Sequence, residues 1–130
     1  MDGKFTDRIV GMLGFAARAG RIIFGTDTVC RSLGTDGDRA VRLVLVANDA
    51  SDTTKRKLAY KCEYYGKPLM ILDTDGGELG ERLGKSYQAM VIAINDKGFA
   101  DEIIKRASEM EVSAGDQSTQ VKGSFPKGNR

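Results

Sequence analysis

Residues 41–58, VRLVLVANDASDTTKRKL, decide the fold. The first seven are almost continuously apolar and rich in β-branched side chains. A strand with one wet face would alternate apolar and polar residues; this one does not, so it reads as a strand covered on both faces. Asn48-Asp49-Ala50-Ser51 then supplies a turn and several side chains able to cap a helix. From about residue 51 to 65 the period becomes helical. Leu58, Cys62 and Tyr65, at i, i+4 and i+7, form the expected buried side, with Thr54, Lys57, Lys61 and Tyr64 opposite. Gly66 and Pro68 end that helix.

The same alternation extends both ways along the chain. Upstream, Phe5, Ile9, Met12, Leu13 and Ala16 recur at helical spacing over residues 5–18. Gly11 and Gly14 inside that helix each cost about 1 kcal/mol relative to Ala, which suggests close packing against a neighbour. Gly20 ends it, residues 21–24 read as a short strand, and a second helix spans about 26–33. Downstream, residues 69–72 read as a third strand, about 77–83 as a short helix, and 89–94 as a fourth strand. Phe99, Ile103, Ala107 and Met110 mark a last helix. Strands alternating with helices imply an α/β fold, with a largely parallel or mixed four-stranded sheet between two helical layers. From Glu111 to Arg130 the chain is rich in Ser, Gly, Gln and Lys, with little to bury. Residues 1–110 are therefore expected to form the domain and 111–130 a disordered, weakly basic tail with Lys122, Lys127 and Arg130.

Composition removes several function classes. The chain has 130 residues, enough for one domain, and no histidine. That absence takes away the commonest general base and metal ligand. The two cysteines, Cys30 and Cys62, lie far apart with no CxxC, so no zinc site of the usual kind and no Ser–His or Cys–His nucleophile can be assembled. No catalytic residue, metal or cofactor is expected, and the protein is read as a non-enzyme. No apolar run approaches the roughly 18 residues of a membrane span. The N-terminal MDGKFTDRIVGMLG has no long apolar core, so no signal peptide is expected, and with two reduced thiols the expected location is cytoplasmic. Net charge is +2 but uneven: residues 1–67 hold 12 basic and 8 acidic side chains, residues 68–130 hold 8 and 10. Such a balance permits a polyanionic partner.

Two stretches imitate phosphate loops. Gly84-Lys85-Ser86 ends like a Walker A motif, but position 79 is Leu where the first glycine should stand, and the stretch follows a helix. Asp75-Gly-Gly-Glu-Leu-Gly80 follows a strand and opens a helix, but lacks the G-x-G start of a dinucleotide loop. Neither reads as a nucleotide site; the second reads as a flexible loop with a helix start.

Gly25-Thr26-Asp27-Thr28 is more pointed. α/β folds place ligands at strand ends where helices begin, and a helix N-terminus offers unpaired N–H groups and a positive dipole end. Arg31, one turn further, can bridge a phosphate or fork onto guanine O6 and N7. On these residues alone, an ordinary helix start fits as well, with Thr26 or Asp27 as the cap and Arg31 solvated.

Five stretches, in order along the chain, resemble one family: MLGFAARAGRIIFGTDTV, RLVLVANDASDTTKRKL, KCEYYGKPL, ELGERLGKS and VIAINDKGFA. The chain resembles the YlxQ-like bacterial branch of the kink-turn RNA-binding ribosomal protein superfamily, of the archaeal L-seven-Ae and eukaryotic L-thirty type, over roughly residues 5–106. The resemblance implies a three-layer α/β/α sandwich. Kink-turn readers of that superfamily present a Gly, a small residue, Asn, Glu and, three further on, Lys. Gly25 and Thr26 match the first two. Asp27 stands at the Asn, losing an amide donor and adding a negative charge; Thr28 stands at the Glu and is too short to accept twice from a guanine edge; Arg31 stands at the Lys and adds a planar fork. The second contact of the superfamily, a loop holding an unstacked nucleotide, aligns with Gly84-Lys85-Ser86-Tyr87-Gln88, where Tyr87 can stack on a base.

The resemblance thus implies a monomeric, non-catalytic protein of the translation machinery. Its partner would be a structured RNA, a kink-turn or ribosomal RNA, with ribosomal proteins as further partners. The expected RNA-binding residues are Gly25, Thr26, Asp27, Thr28, Arg31, Lys85, Ser86, Tyr87 and Gln88. Lys57 and Lys61 read either as flanking phosphate contacts or as a solvated face. The changes at Asp27 and Thr28 favour a second reading, a protein-interaction module with weak RNA binding. A third, an enzyme domain, is opposed by the absent histidines and failed cofactor loops.

Overall fold

In the computed structural model, which describes residues 3–114 and 120–122, the elements are α1 (Gly3–Arg18), β1 (Ile22–Phe24), α2 (Thr26–Ser32), a 3-10 turn (Gly37–Arg39), β2 (Leu43–Val46), α3 (Asp52–Tyr65), β3 (Leu69–Ile71), α4 (Gly76–Arg82), β4 (Val91–Ile94), α5 (Lys97–Ala114) and β5 (Gln120–Lys122). The sheet order is β1-β4-β2-β3-β5. β2 and β3 are parallel and every other pair is antiparallel, so the sheet is mixed as expected.

Alternation along each strand builds the three layers, because successive side chains point to opposite faces. Leu43, Leu45, Met70, Ile92 and Ile94 join Ile9, Leu13, Leu79, Ile103 and Ala107 of α1, α4 and α5 in one core. Val44, Val46, Leu69, Val91 and Ala93 join Val29, Leu33, Leu58 and Cys62 of α2 and α3 in the other. All four residues of β2 are buried, as its unbroken apolar run requires.

The helix signals hold where they are local. Ser51 caps α3, its Oγ accepting from the Thr54 N–H at 3.0 Å. Gly66 closes the helix in the left-handed region, with φ +69°, and the Lys67 N–H reaches back to the Cys62 carbonyl at 2.8 Å. Asp75 caps α4 through the Glu78 N–H at 2.7 Å.

Three expectations change. Tyr65 is exposed rather than buried. As the last residue of α3 it covers Gly34 and meets the Tyr64 ring edge-on. Gly11 meets no neighbour and Gly14 meets only the end of Arg18, so α1 does not need their lack of a side chain for packing. The sheet also gains β5, which pairs with β3 through Met70 and Val121, and α5 runs on to Ala114. Both features fall in the segment expected to be tail. The side chains of Phe5 and Met110, and all of Lys127 and Arg130, lie outside the described residues.

Candidate nucleic-acid interface

β1 ends at Phe24, opposite Ile92 of β4, and the Gly25 N–H donates to the Val91 carbonyl at 3.0 Å. Gly25 has φ +103° and ψ +138°, a conformation that L side chains rarely adopt. It lets the chain leave the sheet and enter α2 without an intervening loop. Gly25, not Thr26 or Asp27, is therefore the N-cap, and no side chain caps the helix. The first-turn N–H groups face outward without a side-chain acceptor, with Gly25, Asp27 and Thr28 exposed and Thr26 half-buried.

Arg31 is exposed, and its Nη2 donates to the Thr28 hydroxyl at 3.3 Å. Ser32 Oγ donates to the Thr28 carbonyl at 2.8 Å. Thr28 thus holds the guanidinium on the same side of α2 as its N-terminus. Among the described residues neither Arg31 nor Asp27 has an ion-pair partner. Asp27 in the first turn complements the helix dipole.

The segment before β4 is folded back over α4. Gly84 turns the chain with φ +82°, the Lys85 N–H donates to the Gly80 carbonyl at 2.9 Å, and the Ala89 N–H donates to Gly76 at 2.8 Å. A Cβ at Gly80 would collide with the Tyr87 carbonyl oxygen, so the glycine is what permits this approach. Lys85 Nζ sits 4.7 Å from the Phe24 ring centroid, and Tyr87 meets the same ring edge-on at 6.3 Å and 89°. Tyr87 remains 54% exposed, leaving ring surface for a stacking partner. Ser86 and Gln88 are exposed.

The two predicted segments therefore meet at one end of the sheet, through Phe24, which in the sequence is a plain strand position. Phe24 directly precedes Gly25 and carries Lys85 and Tyr87 on its ring. An aromatic side chain immediately before the strand-ending glycine was the available signal. A cleft of about 230 Å³ between α1 and the end of α4 adds Arg18 and Arg82 beside Lys85. Arg82 is already paired with Asp7 at 2.8 Å. Lys57 is exposed and Lys61 half-buried on α3, beside α2 rather than within this cluster.

No group of His, Cys, Asp and Glu able to hold a metal occurs among the described residues. Cys62 is fully buried; burial, and then the neighbouring Cys30, push its thiol up to about 12 against a smaller lowering by Lys67. It is a core side chain, not a nucleophile. No helix among the described residues is long and apolar enough to cross a membrane.

A model of the ribosomal protein L7Ae/L30e/S12e/Gadd45 family matches residues 7–104. The RNA-binding protein YlxQ of Bacillus subtilis (strain 168) is 34% identical over 93 residues, covering 72% of this chain and 88% of that protein. The RNA-binding protein YlxQ of Enterococcus faecium is 33% identical over 93 residues, covering 72% and 84%. A solved Bacillus halodurans protein of unknown function has a TM-score of 0.68 at 31% identity, covering 77% of this chain and 96% of that one. The Giardia lamblia 15.5kD RNA binding protein has a TM-score of 0.68 over 86% of this chain and 92% of its own; at 17% identity it speaks for the fold.

Proposed function

The chain belongs to the ribosomal protein L7Ae/L30e/S12e/Gadd45 family, and from that premise we propose that it is a non-catalytic RNA-binding protein that reads a kinked, kink-turn-type RNA in the translation machinery of the cytoplasm. It acts as a monomer. The observation that carries this reading is the Phe24 junction, where the start of α2, which no side chain caps, meets the Lys85–Tyr87 loop at one end of the sheet, with Arg31 held by Thr28 further along the helix.

A regular A-form helix hides its base edges in a deep, narrow groove that side chains cannot read. A sharp kink with sheared G·A pairs opens that groove. The first turn of α2 then enters it. Its N–H groups and dipole attract phosphate, Arg31 forks onto guanine, and Tyr87 stacks on an extruded base. Lys85 adds a salt-dependent phosphate contact.

The test is a titration with a standard kink-turn RNA at fixed salt, beside a control whose G·A pairs are replaced by Watson–Crick pairs. The reading expects binding that is lost in the control, and Arg31→Ala should weaken it by about tenfold or more. Equal, weak, salt-sensitive binding to both RNAs would sink the kink-turn reading. A second reading, a protein-interaction module with weak RNA binding, is favoured by Asp27 and Thr28, which cannot make the amide and bidentate carboxylate contacts of Asn and Glu. In that case Asp27→Asn with Thr28→Glu should create kink-turn binding where the parent chain has none.

A further inference from the structure

α3 presents a face that the site above does not use. Among the described residues five large apolar or aromatic side chains are exposed, and three of them, Tyr60, Tyr64 and Tyr65, lie on this one helix. Tyr60 and Tyr64 are 72% and 75% exposed. The helix buries Leu58 and Cys62, so Arg56, Lys57, Tyr60 and Tyr64 fall on the opposite side. Lys61 flanks them, half-buried. None of Arg56, Lys57 and Lys61 has an ion-pair partner among the described residues, and the acids on that outer side are Glu63 and, in the first turn, Asp52. The platform is braced: Tyr64 meets Tyr65 edge-on at 4.9 Å, and Tyr65 rests over Gly34 just beyond α2.

We infer that this α3 face is a second RNA surface, which binds an unpaired, single-stranded segment by stacking bases on Tyr60 and Tyr64 and meeting its phosphates with Arg56, Lys57 and Lys61. The inference rests on the RNA-binding reading for its biological sense, but not on the kink-turn site for its chemistry. Exposed π-faces interleaved with unpaired cations match a strand with a π-face on every base and a charge on every phosphate. Tyr60 and Tyr64 are one turn apart, about 6 Å along the helix axis. Bases stacked in a duplex are about 3.4 Å apart and turn their faces to each other, so only an unstacked strand can place a base on each ring. Tyr and Arg are also frequent at protein interfaces, but those are depleted in Lys, whereas this side of the helix carries Lys57 and Lys61 with no exposed aliphatic side chain, which favours the strand.

The experiment is fluorescence anisotropy of the full chain with a labelled 12-nucleotide oligouridylate, which has no kinked or paired structure, across a salt series. Wild-type protein should bind it. Tyr60→Ala with Tyr64→Ala should weaken binding about tenfold or more, and Tyr60→Phe with Tyr64→Phe, which keeps the rings, should restore it. Arg56→Gln with Lys57→Gln should flatten the salt slope by about 1.4, at about 0.7 per neutralised phosphate. Arg31→Ala should lower oligouridylate binding far less than the tyrosine pair does. The inference is overturned if wild-type protein does not bind the oligonucleotide, leaving the face to a protein partner. It is also overturned if the alanine pair binds as well as wild type, or if Arg31→Ala abolishes binding, since the strand would then sit at the α2 site. Thermal melts of each variant identify any that fail to fold; the Phe pair and the charge pair, confined to exposed positions, then decide. Loss of kink-turn binding with oligouridylate binding intact would remove the proposed function and leave this surface standing.

Discussion

At Gly80 a hydrogen atom occupies the place where any other residue would drive a methyl group into the Tyr87 carbonyl. That collision is with backbone, which cannot swing aside as a flexible side chain can. Gly80→Ala should destabilise the protein by about 2–3 kcal/mol in urea unfolding. Gly11→Ala is the internal contrast: its Cβ would meet nothing, so the gain in helix propensity should stabilise the protein by about 0.5–1 kcal/mol in the same assay. The two glycines look alike in sequence, and only their neighbours set the sign. Cys62 makes a prediction in pH. Its folded pKa is raised to about 12 from an ordinary value of 9, chiefly by burial. Between those values the unfolded chain binds fewer protons than the folded one, so stability is fully present below pH 9 and falls as pH rises toward 12. Cys62→Ala should lack that alkaline slope, at most about 1.4 kcal/mol per pH unit. Native protein at pH 8 should give up Cys30 to a thiol reagent and keep Cys62 until unfolding.

The element that couples the two halves of the candidate site is β1, three residues long. Its pairing with β4 brings the start of α2 beside the loop that precedes β4, and Phe24 joins them. Phe24→Leu keeps apolar bulk but removes the ring face under Lys85 and the edge contact to Tyr87. Its stability cost should stay below about 1.5 kcal/mol, while kink-turn affinity should drop roughly three- to tenfold as the loop loosens. Matching melts with unchanged affinity would show that the close approach at Gly80 and the backbone hydrogen bonds of Lys85 and Ala89 suffice to hold the loop. At this scale the sequence was most legible where signals are local. Ser51 starts a helix by accepting from an N–H group and Gly66 ends it by taking up the left-handed region, and the helix start read after residue 75 is capped by Asp75. Tyr65 keeps the spacing of the buried side of α3, but spacing does not tell what covers each position, and at the end of the helix Tyr65 is only partly covered, over Gly34.

In the whole molecule, β5 completes the edge of the sheet beside β3. Its contribution is backbone pairing by three residues at an open edge, so truncation after Ala114 should leave the four-stranded core folded, with a loss of about 1–2 kcal/mol by calorimetry. A failure to fold would make the C-terminal strand part of the domain. The sequence by itself determined the fold class, the two helical layers and the burial of Cys62. These follow from periodicity, capping chemistry and composition, which act over a few residues; the two segments of the candidate site were legible only through the resemblance to a family. Only the tertiary structure decided that β4 lies between β1 and β2, that the glycine before α2 caps it without a side chain, that Phe24 carries both Lys85 and Tyr87, and that a polar tail strand pairs with β3. Each of these depends on which distant backbones come within hydrogen-bond reach or which rings come into contact, and side-chain pattern along a single chain does not encode that choice.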